Sequence, residues 1–196
     1  KDISILPIPD RSVLNMNSYG WGRHVTDRIH PGAHFLTMVT SRGCPFKCTF
    51  CAWGMSSHDI VSKLDINTSL KEIEYIANHT KARNLIICDA NFGMLKRDVE
   101  IAKEIKKINE KFNYPLNLHI WLAKNVTDRN LEIAEILGDL IVPVMAIQSM
   151  DNKVLQNIKR DNISSETYFE YQKKFHNLGS KTYSDMIIPL PEETFN

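Results

Sequence analysis

Cys44, Cys48 and Cys51 stand in the run Gly43-Cys44-Pro45-Phe46-Lys47-Cys48-Thr49-Phe50-Cys51-Ala52-Trp53. Three thiolates packed this tightly can reach one metal centre, and such spacing in a reducing compartment points to metal binding or catalysis. A cluster of four irons is normally held by four cysteine thiolates. A site with three leaves one iron open to a ligand that is not protein. That open position is where chemistry can occur.

A zinc site is the competing reading. Structural zinc needs four Cys or His ligands, usually supplied as two separated pairs. The one remaining cysteine, Cys88, stands alone in Leu85-Ile86-Ile87-Cys88, and His58 is near enough in sequence to serve as a fourth ligand. No Cys-x2-Cys or His-x3-His partner follows, and zinc stays open as the alternative. A disulfide framework fits poorly, since four cysteines serve 196 residues and residues 1–43 show no signal-peptide pattern.

The elements that must position these residues read as an α/β chain. Short β-type runs cover 35–41, 84–89, 116–122, 144–148 and 182–188, and helical patterns cover 69–78, 98–111, 128–137, 151–158 and 165–178. Ser69-Leu70-Lys71-Glu72 has the form of a capping box, and Ile101, Ile105, Ile108 and Phe112 share one helix face. Gly138 and Gly179 follow helical segments, where a left-handed residue is commonly required. Pro143 opens its strand, where a missing N–H is tolerated. The alternation predicts parallel strands joined by right-handed crossovers. Five βα steps are too few for a closed eight-stranded barrel of about 250 residues.

Strand parity sorts the side chains. In 116–122 one face is wholly aliphatic and the other carries Asn117, His119 and Trp121; the first should meet the helices and the second the interior. Cys88 shares a face with Ile86 and Asp89 ends the opposite one, so Cys88 is expected as a buried, inert thiol. Catalytic groups of βα folds gather at the C-terminal ends of strands. Here the cysteines follow the first strand, Asp89-Ala90-Asn91 the second, Lys124-Asn125 the third, Gln148-Ser149 the fourth and Pro189-Leu190-Pro191 the fifth. His119, Lys124 and Asn125 are left without an assigned role.

With 43% apolar residues the chain can build a substantial core. A formal charge of +1 leaves no basic footprint for nucleic acid. No apolar stretch approaches the roughly 20 residues needed to span a bilayer, so a soluble cytoplasmic protein is expected. The chain opens on Lys1 and stops at Asn196 in what reads as a loop, which suggests a piece of a longer protein.

The C-x3-C-x2-C spacing, with Phe50 before its last cysteine, resembles the signature of the radical S-adenosylmethionine superfamily. The resemblance implies a partial TIM-type barrel, with about five of six βα units present over residues 34–196 and the last missing. It implies a 4Fe–4S cluster on Cys44, Cys48 and Cys51 whose open iron binds S-adenosylmethionine. Reductive cleavage then gives methionine and a 5′-deoxyadenosyl radical, which abstracts hydrogen from a small-molecule substrate. An electron donor such as flavodoxin or ferredoxin is implied as a partner.

Asp89 and Asn91 resemble the acidic motif of cobalamin-associated members, in place of the commoner Gly-Gly-Glu, and are implied for the methionine amino group. Gln148 and Ser149, with Leu155, Ile158 and Arg160 beyond them, look like the family pattern after the fourth strand. Gln148 and Ser149 would contact ribose or methionine and Arg160 the methionine carboxylate, for which its planar fork is suited. Ile188 and Phe50 are implied to flank adenine.

The leader, 1–33, with Leu6-Pro7-Ile8-Pro9-Asp10-Arg11-Ser12-Val13-Leu14 and Tyr19, resembles the linker from an upstream cobalamin-binding domain. Cobalamin in the parent protein and methyl transfer to carbon follow from that likeness. The alternative outside the enzyme class is a non-catalytic zinc or iron–sulfur module. Within it, a coproporphyrinogen-oxidase-like or methylthio-transferring enzyme is a further reading; the latter wants a second cluster motif or an RNA-binding domain, and neither appears in the sequence.

Overall fold

The computed structural model describes residues 3–13, 35–54, 59–80 and 82–194. Leader residues 14–33 and His58, singled out above, lie outside them. Three parallel strands form the sheet in the order β1 (Phe35–Met38), β4 (Asn84–Phe92), β5 (Asn117–Leu122). Two short strands, β2 (Ser41–Arg42) and β3 (Ser62–Lys63), pair antiparallel beside it. Between and after them run α1 (Ile66–His79), α2 (Asp98–Phe112), α3 (Asp128–Leu137), α4 (Asn152–Asn157) and α5 (Ser165–Asn177).

Period-two alternation decides the two faces of the sheet. Leu85 and Ile87 of β4, with Leu118, Ile120 and Leu122 of β5, are buried in one core with Ile73, Ile101, Ile105 and Ile133 of the helices. Asn117, His119 and Trp121 point the other way and are exposed, with His119 edge-on to Trp121 at 4.5 Å between ring centroids. The aliphatic half of the expected division of β5 is therefore observed, while the mixed face, expected in the interior, is exposed. Cys88 is corrected: it is half-buried and lines a cavity, because the even face of β4 carries no helix.

Helix starts follow side-chain caps. Asp65 caps α1 by accepting from the Thr68 N–H at 3.2 Å, so α1 begins one turn earlier than the Ser69 capping box implies. Ser69 is inside the helix and buried, its hydroxyl directed to the Asp65 carbonyl. Glu72, freed from a capping role, is buried and paired with Arg11 of the leader. The reciprocal capping box is found instead at α3, between Thr127 and Asn130. Gly138 and Gly179 close α3 and α5 with φ of 54° and 79°.

The two later strand candidates do not form ladders. Segments 144–148 and 182–188 meet only through parallel bridges, Val144 to Tyr183 and Gln148 to Met186. Pro143 and Pro189 supply no N–H at their ends, Gln148 has φ of 65°, and Met186 and Ile188 are exposed. These features interrupt regular pairing. The observed architecture is an α/β fold with a parallel sheet covered on one face.

Candidate active site

The register of β4 against β5 jumps from Ile87↔Ile120 to Phe92↔Leu122. β4 therefore carries extra residues at this point, the pattern of a bulge, and bulges are common beside active sites. Asp89 and Asn91 occupy the irregular stretch. Both are buried. Asp89 accepts from the Thr40 N–H at 2.7 Å and from the hydroxyls of Thr40 and Ser41. It thus holds the segment that leads directly into Gly43-Cys44.

Cys44 and Cys48 are buried, Cys51 is half-buried, and all three are free thiols. The Asn91 amide Nδ2 donates to Cys44 Sγ at 3.1 Å. Lys124, just past β5, places its ammonium 3.8 Å from Cys48 Sγ and 5.5 Å from the Phe46 ring centroid. The Lys124 N–H in turn donates to Asn91 Oδ1. The loop is closed by Cys51 N–H to the Cys48 carbonyl at 3.1 Å and pinned to the end of α4 by Thr49 N–H to the Ile158 carbonyl at 2.9 Å. The ends of β4, β5 and α4 therefore converge on the cysteine loop.

Beside the loop lies a cavity of about 390 Å³ lined by Phe50, Cys51, Asp89, Gln148 and Arg160 among others. Five of the sequence-predicted site residues meet here. Gln148 carries its positive φ at the wall of this cavity, a conformation uncommon for a non-glycine residue and enriched at functional sites. Arg160 is buried, with its guanidinium bound to the Ala146 carbonyl and to Asn162 Oδ1 at 2.7 Å. Ser149 lines a second cavity of about 310 Å³, to which Arg160 also contributes. Asn91 faces the cysteine loop, and Ile188 is exposed and lines neither cavity.

Sequence reasoning missed Trp53, Trp121 and Asp185, all on the cavity wall, and left Lys124 unassigned. Trp121 was legible in principle, since its strand face was. The sequence places Lys124 at the end of its strand and Asp185 within the 182–188 candidate, but neither they nor Trp53 carry a local signal for the cavity they share. Among the described residues, no three His, Cys, Asp or Glu side chains converge closely enough to hold a single ion. A polynuclear cluster asks for something different, because each thiolate takes its own iron, and three free cysteines on one short loop beside a cavity fit it.

A profile of the Radical SAM superfamily matches residues 38–196. The chain belongs to the radical SAM superfamily. Members of this family use a 4Fe–4S cluster and S-adenosylmethionine. The chain is 35% identical over 158 residues to the cobalamin-dependent radical SAM methyltransferase TokK of Streptomyces tokunonensis, covering 79% of this chain and 23% of that protein. It is 36% identical over 158 residues to 2-(S-pantetheinyl)-carbapenam-3-carboxylate methyltransferase of Streptantibioticus cattleyicolor, with the same coverage. The chain thus spans about a quarter of the length of these relatives.

Among solved structures, the fold resembles the radical S-adenosylmethionine methyltransferase TsrM of Kitasatospora setae, described with cobalamin and a [4Fe-4S] cluster bound. The TM-score is 0.65 at 14% identity, over 83% of this chain and 32% of that one. The cobalamin-dependent S-adenosylmethionine radical enzyme OxsB gives a TM-score of 0.58 at 18% identity, over 80% and 24%. Among the described residues no helix is long and apolar enough to cross a membrane.

Proposed function

We propose that this chain is the radical domain of a cobalamin-dependent methyltransferase that cleaves S-adenosylmethionine and methylates a small-molecule substrate. The observation that carries the reading is the seating of Cys44 and Cys48 on Asn91 and Lys124, with Cys51 opening on the cavity beside them. Cys44, Cys48 and Cys51 would hold the 4Fe–4S cluster. When bound, the cluster and S-adenosylmethionine supply the one-electron cleavage that yields a 5′-deoxyadenosyl radical, and cobalamin supplies the methyl carrier.

The protein's own part is orientation and exclusion of water and oxygen. Asp89 keeps acceptor capacity beyond its three hydrogen bonds, since a carboxylate offers about four lone-pair sites, and it lines the cavity where the methionine ammonium would sit. Arg160 retains free N–H donors for the methionine carboxylate, and Gln148 and Ser149 for polar groups of methionine or ribose. Phe50, with Trp53 and Trp121 on the same cavity, offers aromatic surface to adenine or substrate. Ile188 would reach adenine only if its exposed segment is drawn over the cavity.

In this reading residues 34–196 form a partial barrel of about five of six βα units, and 1–33 form the linker from a cobalamin-binding domain. The relatives' names support the subtype. A low-potential donor of the flavodoxin or ferredoxin class would deliver the electron, in the cytoplasm. The test is anaerobic reconstitution of the intact protein followed by iron and sulfide analysis and an assay for 5′-deoxyadenosine. Cys44→Ala should abolish that product while the far-ultraviolet circular dichroism is unchanged. Continued 5′-deoxyadenosine formation by Cys44→Ala, or a wild-type protein holding about one zinc and no sulfide, overturns the reading.

A further inference from the structure

Asn91 presents an amide whose orientation is decided by its neighbours. Its Oδ1 accepts from the Lys124 N–H, so the other end, Nδ2, is the donor directed at Cys44 Sγ at 3.1 Å. Both side chains are buried, Asn91 at 4% exposure and Cys44 at 0%. A hydrogen bond in such surroundings is electrostatically stronger than in water. The same lysine whose backbone orients Asn91 places its ammonium 3.8 Å from Cys48 Sγ, and the Phe46 ring lies within cation–π reach of it. One residue pair therefore serves two of the three cysteines.

We propose that Asn91 and Lys124 raise the reduction potential of a cluster held at Cys44, Cys48 and Cys51, both acting as positioning residues on the ligand sulfurs, and Asn91 in place of a role as S-adenosylmethionine ligand. The inference rests on the cluster assignment made under Proposed function. Potentials of iron–sulfur centres are set by net charge, hydrogen bonds to the sulfurs and exposure. Accepting one electron makes the centre one charge more negative. A donor aimed at one ligand sulfur and a cation beside another both favour that more negative form, so removing either lowers the potential.

The geometry also says why this falls to Asn91 and not to Asp89. The two lie two residues apart in the irregular end of β4, but the carboxylate oxygens of Asp89 are turned to Thr40 and Ser41. A carboxylate next to Cys44 would disfavour the reduced form; an amide donates. Asn91 also lies outside the cavity lining, which is where a ligand of S-adenosylmethionine would be needed.

The test is a redox titration of the anaerobically reconstituted intact protein, without S-adenosylmethionine, followed by electron paramagnetic resonance of the reduced centre. Dithionite with mediators supplies the single electron per cluster. Iron and sulfide analysis comes first: a wild type that holds neither overturns the cluster assignment and this inference with it. With cluster present, Lys124→Met and Asn91→Ala should each lower the reduced-to-oxidised ratio at the wild-type midpoint about tenfold, which is about 59 mV for a one-electron couple. Lys124→Arg, which keeps the charge, should hold the wild-type value. If Asn91→Ala fails to retain cluster, Lys124→Met decides, because its side chain is only half-buried and methionine keeps most of its length. Full cluster content in Lys124→Met with an unmoved potential overturns the inference and leaves the cluster assignment standing.

Discussion

Asp89, in the irregular end of β4, takes the backbone N–H of Thr40, just beyond β1, at 2.7 Å, along with its hydroxyl. With the Ser41 hydroxyl at 2.8 Å, this one carboxylate fixes the entry to the cysteine loop from a neighbouring strand. Replacing it by alanine leaves three donors unpaired in a buried place. Asp89→Ala should therefore cost about 2–4 kcal/mol, read as a lower urea midpoint at unchanged slope, and should reduce iron retention on reconstitution. Thr40→Val, which removes one hydroxyl and keeps the N–H bond, should cost about 1 kcal/mol. Equal losses for the two variants would show that the carboxylate is not the anchor.

The leader is tied to the fold by charge. Arg11 donates from Nε to Glu72 Oε1 at 3.0 Å and from Nη2 to the Thr37 carbonyl at 2.9 Å, and the Glu72 side chain is 2% exposed. Removing one partner of a buried pair leaves an uncompensated charge and typically costs about 3–5 kcal/mol, whereas replacing both by apolar groups is often neutral. Arg11→Ala should show that loss in thermal or urea unfolding. The double variant Arg11→Met/Glu72→Leu should return to within about 1 kcal/mol of wild type. If the double variant is as unstable as the single one, the role of Arg11 is in the Thr37 contact and not in the ion pair.

Much of this arrangement is legible in the amino-acid order where local rules act alone. The limits of α3 coincide with the expected 128–137 because Thr127 and Gly138 punctuate it on both sides. β5 buries its aliphatic face as its alternation predicts. What local rules miss is decided across the fold. Glu72 reads as a capping partner of Ser69 until Arg11, 61 residues away, is seen to claim it. Cys88 reads as a core thiol because parity assigns a face without saying which face the helices cover. Lys124 is placed at the end of its strand by the sequence, but its approach to Cys48, 76 residues away, is decided across the fold.

Gly93, directly after β4, is required twice over. Its φ is 90°, and a Cβ added there would lie 2.6 Å from Asn130 Nδ2 and 3.2 Å from Ile133 Cδ1. Asn130 is buried and committed to the capping box at Thr127, so it cannot simply move away. Gly93→Ala combines the cost of positive φ for a residue with Cβ, about 1–2 kcal/mol, with overpacking of about 1–3 kcal/mol. A loss of about 2–5 kcal/mol is expected in equilibrium unfolding. Gly138, where an added Cβ meets nothing within 4 Å, is the control: with φ of 54° and ψ of −129°, Gly138→Ala should cost about 1–3 kcal/mol, from the backbone conformation alone. Equal losses at the two positions would remove the steric part of the account.

Asp98 makes stability depend on pH. Its Oδ2 accepts from the N–H groups of Gly93 at 2.8 Å and Leu95 at 3.0 Å, but Oδ1 is buried without a partner among the described residues. Burial pushes its pKa from 3.8 up to about 6; those two N–H bonds and nearby Arg97 pull against the rise, and Asp89 adds to it. The folded protein therefore keeps this proton over a range in which the unfolded chain has released it. Stability that is fully present below pH 3.8 is lost as the pH rises to about 6 and is flat above. Asp98→Asn keeps an oxygen for Gly93 and Leu95 and does not ionise. The stability of wild type minus that of Asp98→Asn should fall across this window by up to about 3 kcal/mol, measured by urea unfolding at closely spaced pH values. Other carboxylates titrate in the same range, but they do so in both proteins and cancel in the difference. A difference that stays level from pH 4 to pH 7 would mean that Asp98 is ionised as readily in the folded protein as in the unfolded chain.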